Sequence, residues 1–373
     1  MANAPFGRWH ERRAARLAAL PWLHTETTAG RPVRRTKNEV LVAVEHERAA
    51  RAALVSAGVA PGAITALPAV AGFVRLAAPG AEPEMVTAAL PTGAAAPNHV
   101  FLSNPFEMGG PYGPPVTAEM YPLDGGPAAD AAVRLTVLDT AVWADSPLPS
   151  HWYETEDLDD ELVSGTDLGH ANFIIGVVMS RTDNARVRAI KVLDADGLCT
   201  EVDLARALFA LTDVDVVNLS LGGFTRNDRP PLLLAAALSK LLRGRDRVVV
   251  AAAGNEGISD RPYWPAAFAG TALPFASQVI AVAAHDGAEL CPWSNSGSWV
   301  DVTAPGADVT STYVTHEDFP TGFARWSGTS FAAPYAAAAI ASHHRAAGSV
   351  LGAADLVRKE ATARSYGGLP GLA

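Results

Sequence analysis

The chain has 373 residues, 49% hydrophobic and 18% charged, with two cysteines and a formal net charge of −10, which excludes a wholly disordered chain and a disulfide scaffold. Its longest apolar stretch, 331–341, is mostly alanine and is interrupted by Pro334, well short of the roughly 20 residues that span a bilayer. The acidic balance argues against nucleic acid, so neither nucleic acid nor a membrane is expected as a partner.

The first segment in chain order is a basic extension, 1–38. Residues 1–37 hold eight basic and two acidic groups, a net +6, which leaves −16 on the remainder. Arg12 and Arg13 before the apolar run 17–23 loosely mimic a signal peptide. That run is short, contains Pro21 and leads to no small-residue cleavage site. A short helix is expected there, and a cytoplasmic location rather than secretion. Two cysteines are compatible with a reducing compartment.

Residues 39–103 alternate between strand-like and helical patterns. The run 39–45 reads as a strand, and 46–57 as a helix with Ala49, Ala53 and Leu54 on one face, closed by Gly58 and Pro61. One or two strands follow in 64–78, then a short helix from Pro83, then a last strand at 99–102. The order β-α-β-β-α-β is that of a small ferredoxin-like α+β domain. Residues 104–131 are rich in proline and glycine and read as a linker or extended arm.

From 132 to 373 buried strands alternate with helices. The strands are expected at 133–138, 187–193, 214–221, 247–253 and 278–284, with helices at 202–211 and 230–242. Continuous Val/Ile/Ala runs belong to parallel sheets covered on both faces. An α/β domain with a doubly wound, mainly parallel sheet follows, with function at the carboxyl ends of its strands. Within it, 154–161 carries six acids in eight positions. Such a run is a solvated loop, or a docking site for a basic peptide or the chain's own N-terminus.

Four polar residues stand where an apolar element stops. Asp139 ends the run at 133–138, and His170 opens the apolar segment 171–178. Asn255 ends the run at 248–254, and Ser330 starts an alanine-rich helix in which Pro334 is expected to fall in the first turn. Acyl transfer uses such a set. A serine hydroxyl becomes a nucleophile when a histidine takes its proton, and a buried carboxylate fixes the histidine tautomer. Helix N-terminal N–H groups and an asparagine amide can hold the oxyanion. Each residue alone has a plainer role as a cap, a turn or a packed side chain.

Taken together, these motifs resemble the subtilisin family. The chain order Asp, His, Ser is the subtilisin order. Gly-Thr-Ser330-Phe-Ala-Ala-Pro is similar to the family's serine motif, and Ala-Ala-Gly-Asn255-Glu-Gly to its oxyanion motif. Stretches at 191–197, 217–223, 293–297 and 300–306 support the likeness, which covers about 130–365. The resemblance implies a subtilisin-type fold and a serine endopeptidase acting on a peptide or protein substrate. Asp139, His170 and Ser330 would be its triad and Asn255 its oxyanion donor. It implies an extended substrate held between Gly197, Leu198 and Cys199 on one edge and Ser220, Leu221 and Gly222 on the other. Ala252, Ala253 and Gly254 would line the primary specificity pocket. Tyr263 either fills the base of that pocket, giving a preference for small residues, or packs elsewhere.

The chain departs from the family pattern at Ala141 and at Ala171-Asn172, where glycine and Gly-Thr are usual. Altered site geometry is expected, not loss of activity. The short connection 180–185 lacks an evident calcium-ligand set. No cofactor and no required metal are expected. The N-terminal unit resembles the family's prodomain, which implies an intramolecular inhibitor with residues near 102–110 in or near the active site. Within this reading lie general proteolysis and maturation of a precursor by removal of its leader. The competing class is a non-catalytic peptide-binding protein on the same fold.

Overall fold

Seven parallel strands run through the centre of the molecule, in the order Tyr153–Thr155, Ala185–Lys191, Val133–Asp139, Val216–Leu219, Val248–Ala252, Val279–His285 and Val302–Pro305. The computed structural model describes residues 15–70, 72–103, 113–123, 125–159, 167–194 and 196–373. Along the central strands alternate residues belong to different apolar clusters, Val248, Val250 and Ala252 to one and Val249, Ala251 and Ala253 to the other. Successive strand side chains point to opposite faces. A strand apolar on both sides therefore needs cover on both sides.

That cover comes from helices. His170–Met179, Thr329–Ala347 and Val350–Ala361 pack on one face, and Glu201–Ala210 and Leu232–Leu242 on the other. From Val133–Asp139 the chain first adds strands on one side and then returns to Val216–Leu219 on the other. This reversal opens a crevice at the carboxyl ends of those two strands. Asp139 and Ser220 lie at its lips.

The doubly wound expectation holds, with particular differences. The short edge strands Tyr153–Thr155 and Val302–Pro305 were not anticipated, nor was the helix Val350–Ala361. Pro334 is the sixth residue of its helix, not a first-turn residue. At that position its nitrogen faces the Ser330 carbonyl but has no hydrogen to give. The Ser220 hydroxyl donates to that carbonyl instead, at 2.7 Å.

The N-terminal unit has an antiparallel sheet in the order Thr65–Pro68, Phe73–Ala77, Glu39–Ala43, Ala95–Ala96, with helices Glu47–Ser56 and Pro83–Thr87. This is the ferredoxin-like arrangement, with its own core of Val40, Val42, Leu54, Leu76 and Val86. Its last strand is Ala95–Ala96 and not 99–102. Val100–Leu102 pairs instead with Leu198–Thr200 of the main body. Val100, Phe101 and Leu102 are all buried, so this strand is covered on both faces. An outer strand of a one-sided sheet would alternate.

Within the basic extension residues 15–19 are helical. Leu23–Thr28 and Arg31–Thr36 then form a hairpin turning at Ala29 and Gly30, both with positive φ, the backbone that two-residue hairpin turns require. The hairpin lies against the main body through Val33 and Phe224 and against the cleft segment through Arg35 and His99. Its described ionic contacts are Arg16 with Asp196, Arg35 with Glu82, and Glu26 with Arg226. None reaches the described part of the acidic run, where Glu156 meets Arg188 and Asp157 caps Lys191. Residues 1–14 and 160–166 lie outside the described residues. Between the two units Val116–Thr117 of the proline-rich arm adds to Phe323–Trp326.

Candidate active site

Asp139 is the last residue of its strand and one of the most buried carboxylates in the chain, at 1% exposure. Its Oδ1 accepts from the Thr140 N–H at 2.8 Å and lies 2.7 Å from His170 Nδ1. With Nδ1 committed to the carboxylate, Nε2 is the ring nitrogen that can take a proton. His170 begins its helix after Gly169, which has φ +78° and whose missing Cβ leaves room for Tyr313 and Val314. The His170 ring stands edge-on to Trp326 and tilted against Phe331, each at 5.5 Å between centroids.

The departures from the usual glycines have structural partners. Asn172 accepts from the Trp143 N–H and donates to the Trp143 carbonyl. The Ala171 N–H donates to Thr140 Oγ1. These bonds tie the start of the histidine helix to the turn after Asp139, and so hold Asp139 and His170 together. Asn172, which stands out in the sequence as a departure, thus joins these two elements.

Ser330 is the second residue of the helix Thr329–Ala347, so the helix offers no acceptor to its own N–H. Asn255 Oδ1 accepts from both the N–H and the hydroxyl of Thr329, at 2.8 and 2.9 Å. This fixes which end of the amide is the donor, and Nδ2 faces the Gly328 side of the serine turn. The Asn255 amide and the Ser330 N–H therefore flank one helix N-terminus, whose dipole favours negative charge.

The crevice is filled by the chain's own residues 100–103. Leu102 exchanges both main-chain hydrogen bonds with Gly222, at 2.9 and 2.8 Å, and the Ser103 N–H donates to the Gly197 carbonyl at 2.9 Å. On the other edge Leu198 and Cys199 pair with Leu102 and Phe101. Two edges thus hold one extended segment by strand addition. Upstream, His99 Nδ1 meets the fully buried Glu201 carboxylate at 2.9 Å. The segment ends at the nucleophile, where Ser330 Oγ donates to the Ser103 carbonyl at 3.0 Å and to the Ser220 carbonyl at 3.3 Å.

Other expected site residues are placed as follows. Leu221, Ala252 and Ala253 are buried in the two sheet cores. Gly254 has φ +97°, and a Cβ there would lie within 2.9 Å of both Tyr263 and Glu256. Tyr263 is fully buried, its ring between Gly222 and Gly254 and edge-on to Phe224. Cys199 is buried, and burial pushes its thiol well above the usual range, with Asp203 and Asp194 adding to the shift. It is an inert thiol.

Glu256, next to Asn255, was not singled out in the sequence. Burial pushes its carboxyl up to about 7, against the stabilising Asn295 amide at 2.6 Å. The folded chain therefore binds more protons than the unfolded chain between about pH 4.5 and 7. Stability falls as pH rises through that window. Glu256→Gln is expected to raise the melting temperature above about pH 7 and to leave it nearly unchanged below about pH 4.5. Thermal melts at both ends of the range check this.

The polar side chains of 180–185 do not fit a cation. Asp183 pairs with Arg345, and Asn184 bonds Ala132 and Ala341. Among the described residues one group of metal-ligand type gathers, His316, Glu317 and Asp318. It lies on an isolated turn whose acids are of a kind common without an ion. No described helix is long and apolar enough to cross a membrane.

A buried Asp139–His170 pair, a serine at a helix N-terminus and an asparagine amide beside it thus gather at the carboxyl ends of a doubly wound parallel sheet. The Subtilase family profile matches residues 161–361, a stretch that includes His170, Asn255 and Ser330 and begins after Asp139. The chain belongs to the subtilase family. It is 31% identical to the thermophilic serine proteinase of Bacillus sp. (strain AK1) over 272 residues, 65% of this chain and 61% of that protein. It is 30% identical to thermitase of Thermoactinomyces vulgaris over 255 residues, 61% of this chain and 81% of that protein. The first of these matches thus spans under two thirds of the relative's length. In fold it is similar to a cold-adapted subtilisin-like serine proteinase, with a TM-score of 0.52, 20% identity, and coverage of 69% of this chain and 93% of that one.

Proposed function

We propose that the chain is a serine endopeptidase working through an acyl-enzyme, held in check by its own N-terminal unit. The observation that carries the reading is the 2.7 Å Asp139–His170 pair beside a nucleophile whose cleft holds an extended peptide segment. His170 Nε2 takes the Ser330 proton as Oγ attacks the substrate carbonyl. Asp139 stabilises the imidazolium that results, and Asn255 Nδ2 and the Ser330 N–H receive the oxyanion. The imidazolium then protonates the leaving amine. Water, deprotonated by the same ring, releases the acyl group.

The inhibitory role of residues 39–103 rests on the cleft segment. While it is bound, the Ser330 proton is directed to main-chain carbonyls and both substrate edges are paired. Tethering a segment to its own cleft gives an effective concentration of order millimolar, so the unit can block the site without high intrinsic affinity. Comparison of intact masses tests processing. Self-cleavage gives a shortened wild type beside a full-length Ser330→Ala chain. Two full-length masses would mean a permanently attached inhibitor.

Maturation of a precursor is the finer reading, supported by the carboxylates Asp194 and Asp196 beside the Leu198 edge of the cleft, where Asp196 already holds Arg16. A basic leader would complement them. A cytoplasmic location goes with this reading, since Cys199 and Cys291 are both free; fractionation of the source cells tests it. Tyr263 is expected to restrict the primary pocket to small residues. A Tyr263→Gly chain should accept large residues before the scissile bond in a peptide library, and an unchanged profile would refute that role. The alternative, a non-catalytic peptide-binding protein, predicts no labelling of Ser330 by a fluorophosphonate.

A further inference from the structure

We propose that Asp167 is a specificity-determining residue that selects a small hydroxyl side chain, serine above all, at the substrate position now filled by Ser103. The proposal rests on the peptidase reading above. Asp167 is fully buried, and the Ser103 hydroxyl donates to its Oδ2. The position is fixed from both ends. The Asp167 carbonyl accepts from the His170 N–H at 3.1 Å, so the carboxylate sits on the turn that enters the histidine helix. The Ser103 N–H is held by the Gly197 carbonyl at 2.9 Å.

The absence of a side chain at Gly197 makes room for this contact. A Cβ on it would overlap both Asp167 Oδ2 and Ser103 Oγ, and its φ of +72° suits glycine. The space between the Gly197 backbone and the carboxylate is thus filled by a side chain of one carbon and one oxygen. Alanine at this position leaves the carboxylate without the donor that the hydroxyl supplies. The surroundings sharpen the demand for a donor. The buried Tyr313 lies in the same field, its phenol raised by burial and by Asp167. The Asp194 carboxyl is raised as well, mainly by burial, with Asp167 contributing. Facing a methyl group instead, this buried carboxyl oxygen gives up a hydrogen bond made in the interior, which is costly. Sites built to bond a substrate hydroxyl reject the analogue lacking it.

The test uses the full-length chain and peptides carrying Val-Phe-Leu-Xaa before the cleaved region, with Xaa serine, alanine or lysine. Rates are normalised to the fraction of Ser330 that reacts with a fluorophosphonate. The readout is the serine-to-alanine ratio of kcat/KM within each chain, which cancels any general effect of the variant on turnover. The wild type is expected to favour serine by about ten- to hundredfold, and the ratio in Asp167→Ala to fall to near one. An unchanged ratio, or a wild-type preference for lysine over serine, would overturn the proposal. A chain that neither labels nor cleaves would sink the peptidase reading instead. In that event the contact is still decided in a Ser330→Ala background by thermal melts of Ser103→Ala, Asp167→Ala and the double variant. A double variant no less stable than the weaker single one supports the contact, and strict additivity rejects it.

Discussion

Replacing Ser330 by alanine is expected to lower peptide hydrolysis by about 10⁶-fold in kcat, and replacing His170 by alanine to do the same, whereas Asp139→Ala costs about 10⁴-fold. These magnitudes are those of subtilisin and are carried over by kinship. What the present geometry supplies is their pattern. Serine and histidine act as one unit, so a Ser330→Ala/His170→Ala chain should be no slower than either single variant. Asp139 works through the ring it orients at 2.7 Å, so its loss leaves a slow reaction with an altered pH profile. Asn255→Leu keeps the size of the side chain but removes the oxyanion donor, for about 10²–10³ in kcat, again a figure from subtilisin. It also leaves the Thr329 N–H and hydroxyl without the acceptor they now use. Steady-state kinetics on one peptide substrate checks the whole series.

Phe101→Ala is expected to raise the activity of the full-length chain. Phe101 is fully buried, with Val100 and Leu102 beside it, and its ring lies against the Gly223 backbone of the substrate edge. Truncating a buried phenylalanine costs about 3–5 kcal/mol, and every 1.4 kcal/mol is tenfold in an equilibrium. If that energy holds the segment in the cleft, the open fraction should rise by about 10²- to several thousandfold and the initial rate with it. A melting temperature lowered without any gain in rate would show instead that Phe101 serves the fold and not the block. The His99–Glu201 contact belongs to the same anchorage. A His99→Ala chain should therefore shift in the same direction.

The candidate catalytic set is legible because its residues fall where buried strands end and helices begin. A run such as 248–254 can hardly be other than a covered strand, and Asn255 after it stands at a carboxyl end. Motif order then placed Asp139, His170 and Ser330 in one site. Residues 99–102 were misassigned to the small sheet because four apolar-rich residues look alike in any strand. Only the presence of a second body tells that all three of Val100, Phe101 and Leu102 are buried. Pro334 was misjudged by a few residues at a helix start, and the Ser220 hydroxyl that completes the Ser330 carbonyl cannot be read from spacing. Asp167 and Glu256 were passed over for a similar reason. A carboxylate between glycine-rich turns looks solvated until the fold encloses it. The basic extension had a charge pattern that suggested docking at 154–161. Of its described arginines, Arg16 meets Asp196 and Arg35, on the hairpin, meets Glu82, while residues 1–14 and the end of the acidic run lie outside the described residues.

The most direct measurement is fluorophosphonate labelling of the full-length chain, with the modified residue located by peptide mass mapping. The account predicts one labelled residue, Ser330, with a slow rate in the wild type, a faster rate in Phe101→Ala and none in His170→Ala. Absence of label in all chains, or a label on another serine that survives His170→Ala, would contradict it.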